Sequence, residues 1–80
     1  MIEETYTTGT YRYIRATTGK TSATVSFEID GDSVRVCNHN AANKVWGGQG
    51  KLFSSIGEAL NNYKSAAMKA IIFAAAGTNA

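Results

Sequence analysis

The cleanest alternation of apolar and polar positions in the chain is ATVSFEI. Ala23, Val25, Phe27 and Ile29 take turns with Thr24, Ser26 and Glu28. Period-two alternation with β-branched and aromatic residues predicts a strand with one wet face. Asp30-Gly31 follows, and Asp-Gly is a strong hairpin turn signal. The return segment SVRVCNH then pairs Phe27 with Val34 and Val25 with Val36 on one face. Ser26 meets Arg35 and Thr24 meets Cys37 on the other. Apolar side chains meet only apolar ones, so the register is self-consistent. A four-residue loop keeps the same faces.

Upstream, TYRYIRATTGK reads as a first strand and turn, and its phase is ambiguous. A loop of Thr17, Thr18 and Gly19 sets Tyr13 beside Ala23 and Tyr11 beside Val25, which sends the tyrosines to the core. A shorter Thr18-Gly19 loop turns Arg12 and Ile14 inward instead. The first register is preferred, because burying an arginine costs more than burying two tyrosines.

Downstream, Ser55 and Glu58 have capping-box spacing. Ile56, Leu60, Tyr63, Ala67, Ala70, Ile71 and Ala74 then form a helical apolar stripe, with Gly77 as a stop. Met68, Ile72 and Phe73 fall outside that stripe, either buried on a second side or offered to a partner. The expected fold is α+β. A three-stranded antiparallel meander packs on one C-terminal helix, with a short fourth strand or hairpin near residues 44–53, in a single β-β-β-loop-α domain over residues 1–80.

Length and composition narrow the function. Eighty residues support one small core and no cleft between lobes. Cys37 is the sole cysteine, so no disulfide forms within the chain, which fits a reducing, cytoplasmic setting. MIEETYTTGT lacks an apolar run and does not read as a signal peptide, and AAMKAIIFAAA is too short to span a bilayer. The net charge of +2 hides an asymmetry. Five of the six acids are Glu3, Glu4, Glu28, Asp30 and Asp32, at the N-terminal tip and around one turn.

The stretch NKVWGGQGKLFSSIGEAL raises the question of a phosphate cradle. A P-loop around Gly50-Lys51 needs glycine where Val45 stands and a hydroxyl where Leu52 stands. A dinucleotide fingerprint needs glycine at Phe53. Both patterns fail, so GGQG reads as connecting chain. Lys51 and the helix start retain only a generic attraction for anions. Trp46 is either a core plug or an interface anchor. Cys37 and His39 share a strand face, but zinc needs about four ligands and a Cys–His nucleophile pair needs an orienting third group. No cofactor, metal site or catalytic set is expected, and the chain reads as a non-enzyme.

The wet sheet face gathers Thr10, Arg12, Thr24, Ser26, Arg35 and Cys37, with Asn38 to Asn43 at its end. Such cations and hydroxyls suit phosphates and base edges, or an acidic protein surface. YRYIR, the following GK, a strand and the helix segment EALNNYKSAA together resemble, at the level of topology, the AP2 DNA-binding domain. That resemblance implies a β-β-β-α fold reading DNA through sheet arginines, here Arg12, Arg15 and Arg35. Thr24 and Ser26 join them in the basic-face reading.

Two function classes follow. The first is a small binding protein acting through a protein–protein interface that uses Arg12, Arg35, Trp46, Lys51, Asp30 and Asp32. Its format suits viral or mobile-element inhibitors of host defence nuclease complexes, of the anti-CRISPR type. The second is a nucleic-acid-binding domain using the basic sheet face. Sheet edges and the apolar helix end both permit a homodimer.

Overall fold

The computed structural model describes residues 1–39 and 50–79. Among these, one antiparallel sheet runs in chain order through β1 (Ile2–Thr8), β2 (Tyr11–Thr18), β3 (Thr21–Glu28), β4 (Val34–Asn38) and β5 (Lys51–Phe53). Two helices follow, α1 (Ile56–Asn62) and α2 (Ala66–Asn79). The α+β class holds, but the three-stranded sheet with one helix does not. The described residues form five strands and two helices.

The two additional strands have separate causes. β1 is exposed at all seven positions. A strand that buries neither face has no reason to alternate, so IEETYTT carries no period-two signal. β5 is the KLF segment, and it pairs with β4, with Phe53 opposite Val34. The other arm of the expected hairpin, KVW, lies outside the described residues.

The β3–β4 register is the expected one, with Phe27 opposite Val34 and Val25 opposite Val36. β3 ends at Glu28, whose amide donates to the Ser33 carbonyl at 3.1 Å, so Ile29 leaves the sheet and stands exposed in the turn.

The β2–β3 register is the other of the two alternatives. Thr18 pairs with Thr21 across Gly19-Lys20, which sets Ile14 opposite Val25 and Arg12 opposite Phe27. Gly19 has φ +59, and no described residue other than glycine has a positive φ. Glycine first and a negative φ second is the type II′ pattern, whose twist matches that of paired strands. Gly9-Thr10 closes the β1–β2 hairpin in the same way, with Gly9 also at φ +59. The preference for inward tyrosines is thereby overturned. Arg12 does face the helical layer, but only half-buried. Its Nη1 donates to the Asn79 carbonyl at 3.5 Å, where the C-terminal end of α2 favours a cation. A route to that helix end removes the cost that argued against this register.

Ile14, Ala16, Ala23, Val25, Phe27, Val34, Val36 and Phe53 line the inner face and pack on Ala59, Met68, Ile71, Ile72 and Ala75. The helix is not continuous. Ser55 caps α1 by accepting from the Glu58 amide at 3.2 Å, and Glu58 reaches back to the Ser54 amide at 2.9 Å. The chain then turns extended at Tyr63. Ser65 restarts it by accepting from the Met68 amide at 3.3 Å, and the Lys69 ammonium donates to the Leu60 carbonyl at 2.6 Å. The break resets the helical phase, so α2 buries Met68, Ile71, Ile72 and Ala75. Two of the three residues that lay outside the expected stripe are therefore core, whereas Phe73 is 73% exposed. Gly77 does not stop the helix, which runs on to Asn79.

Ile14 is fully buried, so Ile14→Ala should lower stability in urea by about 2–5 kcal/mol. Phe73→Ala should change it by roughly 0.5 kcal/mol or less, as at an ordinary surface site. Equal losses at the two positions contradict this assignment of faces.

Candidate functional site

Among the described residues, both helices pack on one side of the sheet and neither covers the opposite face. Pairing parity decides what stands there. Tyr6 lies opposite Tyr13, and Glu4 opposite Arg15. The Tyr6 and Tyr13 rings stack with centroids 5.0 Å apart and planes 9° apart, and Tyr11 adds a tilted ring 6.4 Å from Tyr13. Tyr6 remains 46% exposed and Leu52, farther along the same face, 52%. An aromatic cluster is costly to leave in water unless it has another use, which makes it the most informative feature of this face.

One of its arginines is ion-paired. Arg15 bridges Glu3 at 3.6 Å and Glu4 at 3.5 Å. Arg35 also projects from this side by its parity with Ser26, whereas the Glu28 carboxylate lies against Gly31 in the β3–β4 turn. Ser26, flanked by Tyr13 and Arg35, is only 5% exposed although no helix covers it. At the other end His39 places Nε2 2.9 Å from the Thr24 hydroxyl and Nδ1 3.3 Å from that of Ser22. The imidazole is thus engaged by two hydroxyls. Among the described residues no group of three or more His, Cys, Asp or Glu is placed to hold a metal. No described helix is long and apolar enough to cross a membrane.

The residues expected at a partner interface do not converge. Arg35 is on the open face, and Arg12 is on the helical side. Asp30 and Asp32 are exposed in the β3–β4 turn. Lys51 sits at the β5 edge, donating to Asn62 Oδ1 at 3.1 Å and lying 5.7 Å from the Phe53 ring centre. Trp46 lies outside the described residues. Of the nucleic-acid set, Arg15, Thr24, Ser26 and Arg35 share the open face and Arg12 leaves it, so the arginine trio implied by the AP2 resemblance is divided between two surfaces. Gly50 answers part of the question about GGQG. Its φ is +73, and a side chain there would run into the Val36 carbonyl, so this glycine lets the chain enter β5.

The sequence reading missed the tyrosine cluster. The signal that finds it is a repeat. Thr7-Thr8-Gly9 and Thr17-Thr18-Gly19 are the same tripeptide ten positions apart, and each opens a hairpin turn. A separate open groove of about 390 Å³ lies on the helical side, between the β3–β4 turn, Ser54 to Ile56 and the end of α2.

The chain matches no protein-family model, no curated protein and no solved structure.

One titration lies in the helical layer, where Tyr63 packs on Phe53. Burial raises the Tyr63 phenol above its ordinary value of 10.0, and the negative charge of a Cys37 thiolate raises it further. A raised folded-state value means stability is intact below the ordinary tyrosine range and is lost as pH climbs through the folded value. Tyr63→Phe should therefore flatten the alkaline limb of a stability–pH curve above pH 10.0, measured by urea unfolding. An unchanged alkaline limb contradicts the assignment.

Proposed function

We propose that this chain is a small protein-binding module whose docking surface is the open face of the sheet. The observation that carries the reading is the cluster of Tyr6, Tyr11 and Tyr13 on a face the helices leave bare. Tyrosine and arginine dominate the energetic centres of protein interfaces, because each combines a large contact area with a polar tip.

Charge favours a protein over a nucleic acid. A phosphate backbone needs several cations on one surface. Here Arg15 is bridged to Glu3 and Glu4, and Arg12 is on the other side, which leaves Arg35 alone among the described arginines of this face. Lys69 is committed to the end of α1 and Lys51 to Asn62. A surface of stacked rings with so few cations suits a mixed protein surface. Such a module needs no chemistry of its own. A steric inhibitor of a nuclease complex, of the anti-CRISPR type, is the form of this proposal in which occupying a surface is the whole activity.

The test uses the chain and its Tyr6→Ala and Arg35→Glu variants, each checked for an unchanged fold by circular dichroism. A specific protein should be retained by the unaltered chain after nuclease treatment and lost by at least tenfold with either variant, a cost of about 1.4 kcal/mol or more. In parallel, labelled single- and double-stranded oligonucleotides should show no salt-sensitive binding at low ionic strength. Retention that survives both substitutions, or that disappears with nuclease, overturns the proposal.

A further inference from the structure

Among the described residues, the two edges of the sheet are not alike. An edge strand presents a row of backbone donors and acceptors, and proteins blunt it with short strands, lysines, prolines or bulges. β5 is three residues long and begins with Lys51. β1 is seven residues long, carries no lysine or proline, and is exposed throughout. Its one irregularity lies between Ile2 and Glu4, leaving residues 4–8 in regular pairing with β2.

Two hydrogen bonds set which backbone groups point outward. The Ile29 amide donates to the Thr10 carbonyl at 2.8 Å, and the Thr17 amide donates to the Met1 carbonyl at 2.9 Å. Even positions of β2 therefore turn their backbone groups toward β3 and odd positions toward β1. Glu4, Tyr6 and Thr8 lie opposite odd positions, so their backbone groups face β2. Those of Thr5 and Thr7 face away, where no other described strand meets them.

We infer that this edge pairs antiparallel with β1 of a second copy of the chain, about a two-fold axis at Tyr6. Thr5 of each copy then exchanges hydrogen bonds with Thr7 of the other. Side-chain chemistry selects this register. An axis at Glu4 sets two carboxylates face to face. An axis at Thr5 draws the irregular Glu3 into the ladder. An axis at Tyr6 places each Glu4 opposite a Thr8, holds the irregular segment outside the paired stretch, and brings the two Tyr6 rings together. That central pair is of the close, non-hydrogen-bonded kind, with Cα atoms about 4.5 Å apart, and aromatic pairs there are favourable.

The helical layers do not obstruct the pairing. α2 packs over β2 and β3, so two copies hold their α2 helices roughly 19 Å apart, four strand spacings, on the same side of the joined sheet. The open faces also fall on one side, which extends the tyrosine cluster across the axis. A strand edge and its flanking side chains bury less than the ~800 Å² per partner of a stable complex, so the dimer dissociates on dilution. This pairing does not depend on the docking role of the open face.

Sedimentation equilibrium of the whole chain under reducing conditions should give a mass that rises from monomer toward dimer with concentration. Thr7→Pro, which removes an outward N–H and no bond to β2, should hold it at monomer. A monomer at every concentration overturns the proposal. A second measurement stands if that variant fails to fold. In a Cys37→Ser background, Tyr6→Cys should form a covalent dimer in oxidised glutathione. Thr8→Cys should not, because its two Cα atoms lie roughly 13 Å apart, beyond the ~7 Å reach of a disulfide. Cross-linking at neither position, or equally at both, overturns the register.

Discussion

The fold depends on the parity set by one tight turn. Gly19 takes a left-handed backbone that other residues adopt only at a cost, and the loop it opens contains Gly19 and Lys20 alone. One more residue in that loop exchanges the two faces of β2. With the turn as it stands, Ile14 completes an inner surface with Val25 and Val36, and Met68, Ile71 and Ile72 have something to cover. The tyrosines go to the other side by the same geometry. Core and candidate site are two consequences of a single register.

That register also explains why positive charge does not accumulate on the open face. Arg12 and Arg15 differ by an odd number of positions, so a strand must divide them. Arg12 ends against the carboxyl end of α2, and Arg15 meets the acids of β1. Glu3 and Glu4 form part of an arginine's surroundings on the sheet rather than a separate acidic tip. Lys51 and Lys69 serve the β5 edge and the end of α1. What is left on that face, among the described residues, is aromatic area with an ion-paired Arg15 and with Arg35.

Legibility in the sequence followed burial. The β3–β4 pairing was readable residue by residue, because both strands bury one face and Phe27, Val34, Val25 and Val36 leave no other self-consistent match. The Ser55–Glu58 cap was readable because both groups sit at fixed spacing from the orphan amides they satisfy. The phase of β2 is not legible from burial cost alone, because the helix end that receives Arg12 lies far along the chain. β1 was invisible to periodicity, since a strand wet on both sides has no pattern to show. The helix break was hidden because Tyr63 and Ala67 continue the apolar spacing across a gap that Ser65 caps. Missing β1 and inverting β2 together concealed the tyrosine cluster, and Arg35 was placed on the proper face only because it belongs to the well-read hairpin.

The fold stands on Ile14 facing the helices and Tyr13 facing away. Nuclear Overhauser effects in a protein with labelled isoleucine methyls and tyrosine rings measure this directly. The Ile14 methyls should show cross-peaks to those of Ile71 or Ile72 in α2, and the Tyr13 ring should show cross-peaks to that of Tyr6 and none to α2. Cross-peaks from the Tyr13 ring to the α2 methyls, with Ile14 silent toward them, would contradict the register and everything built on it.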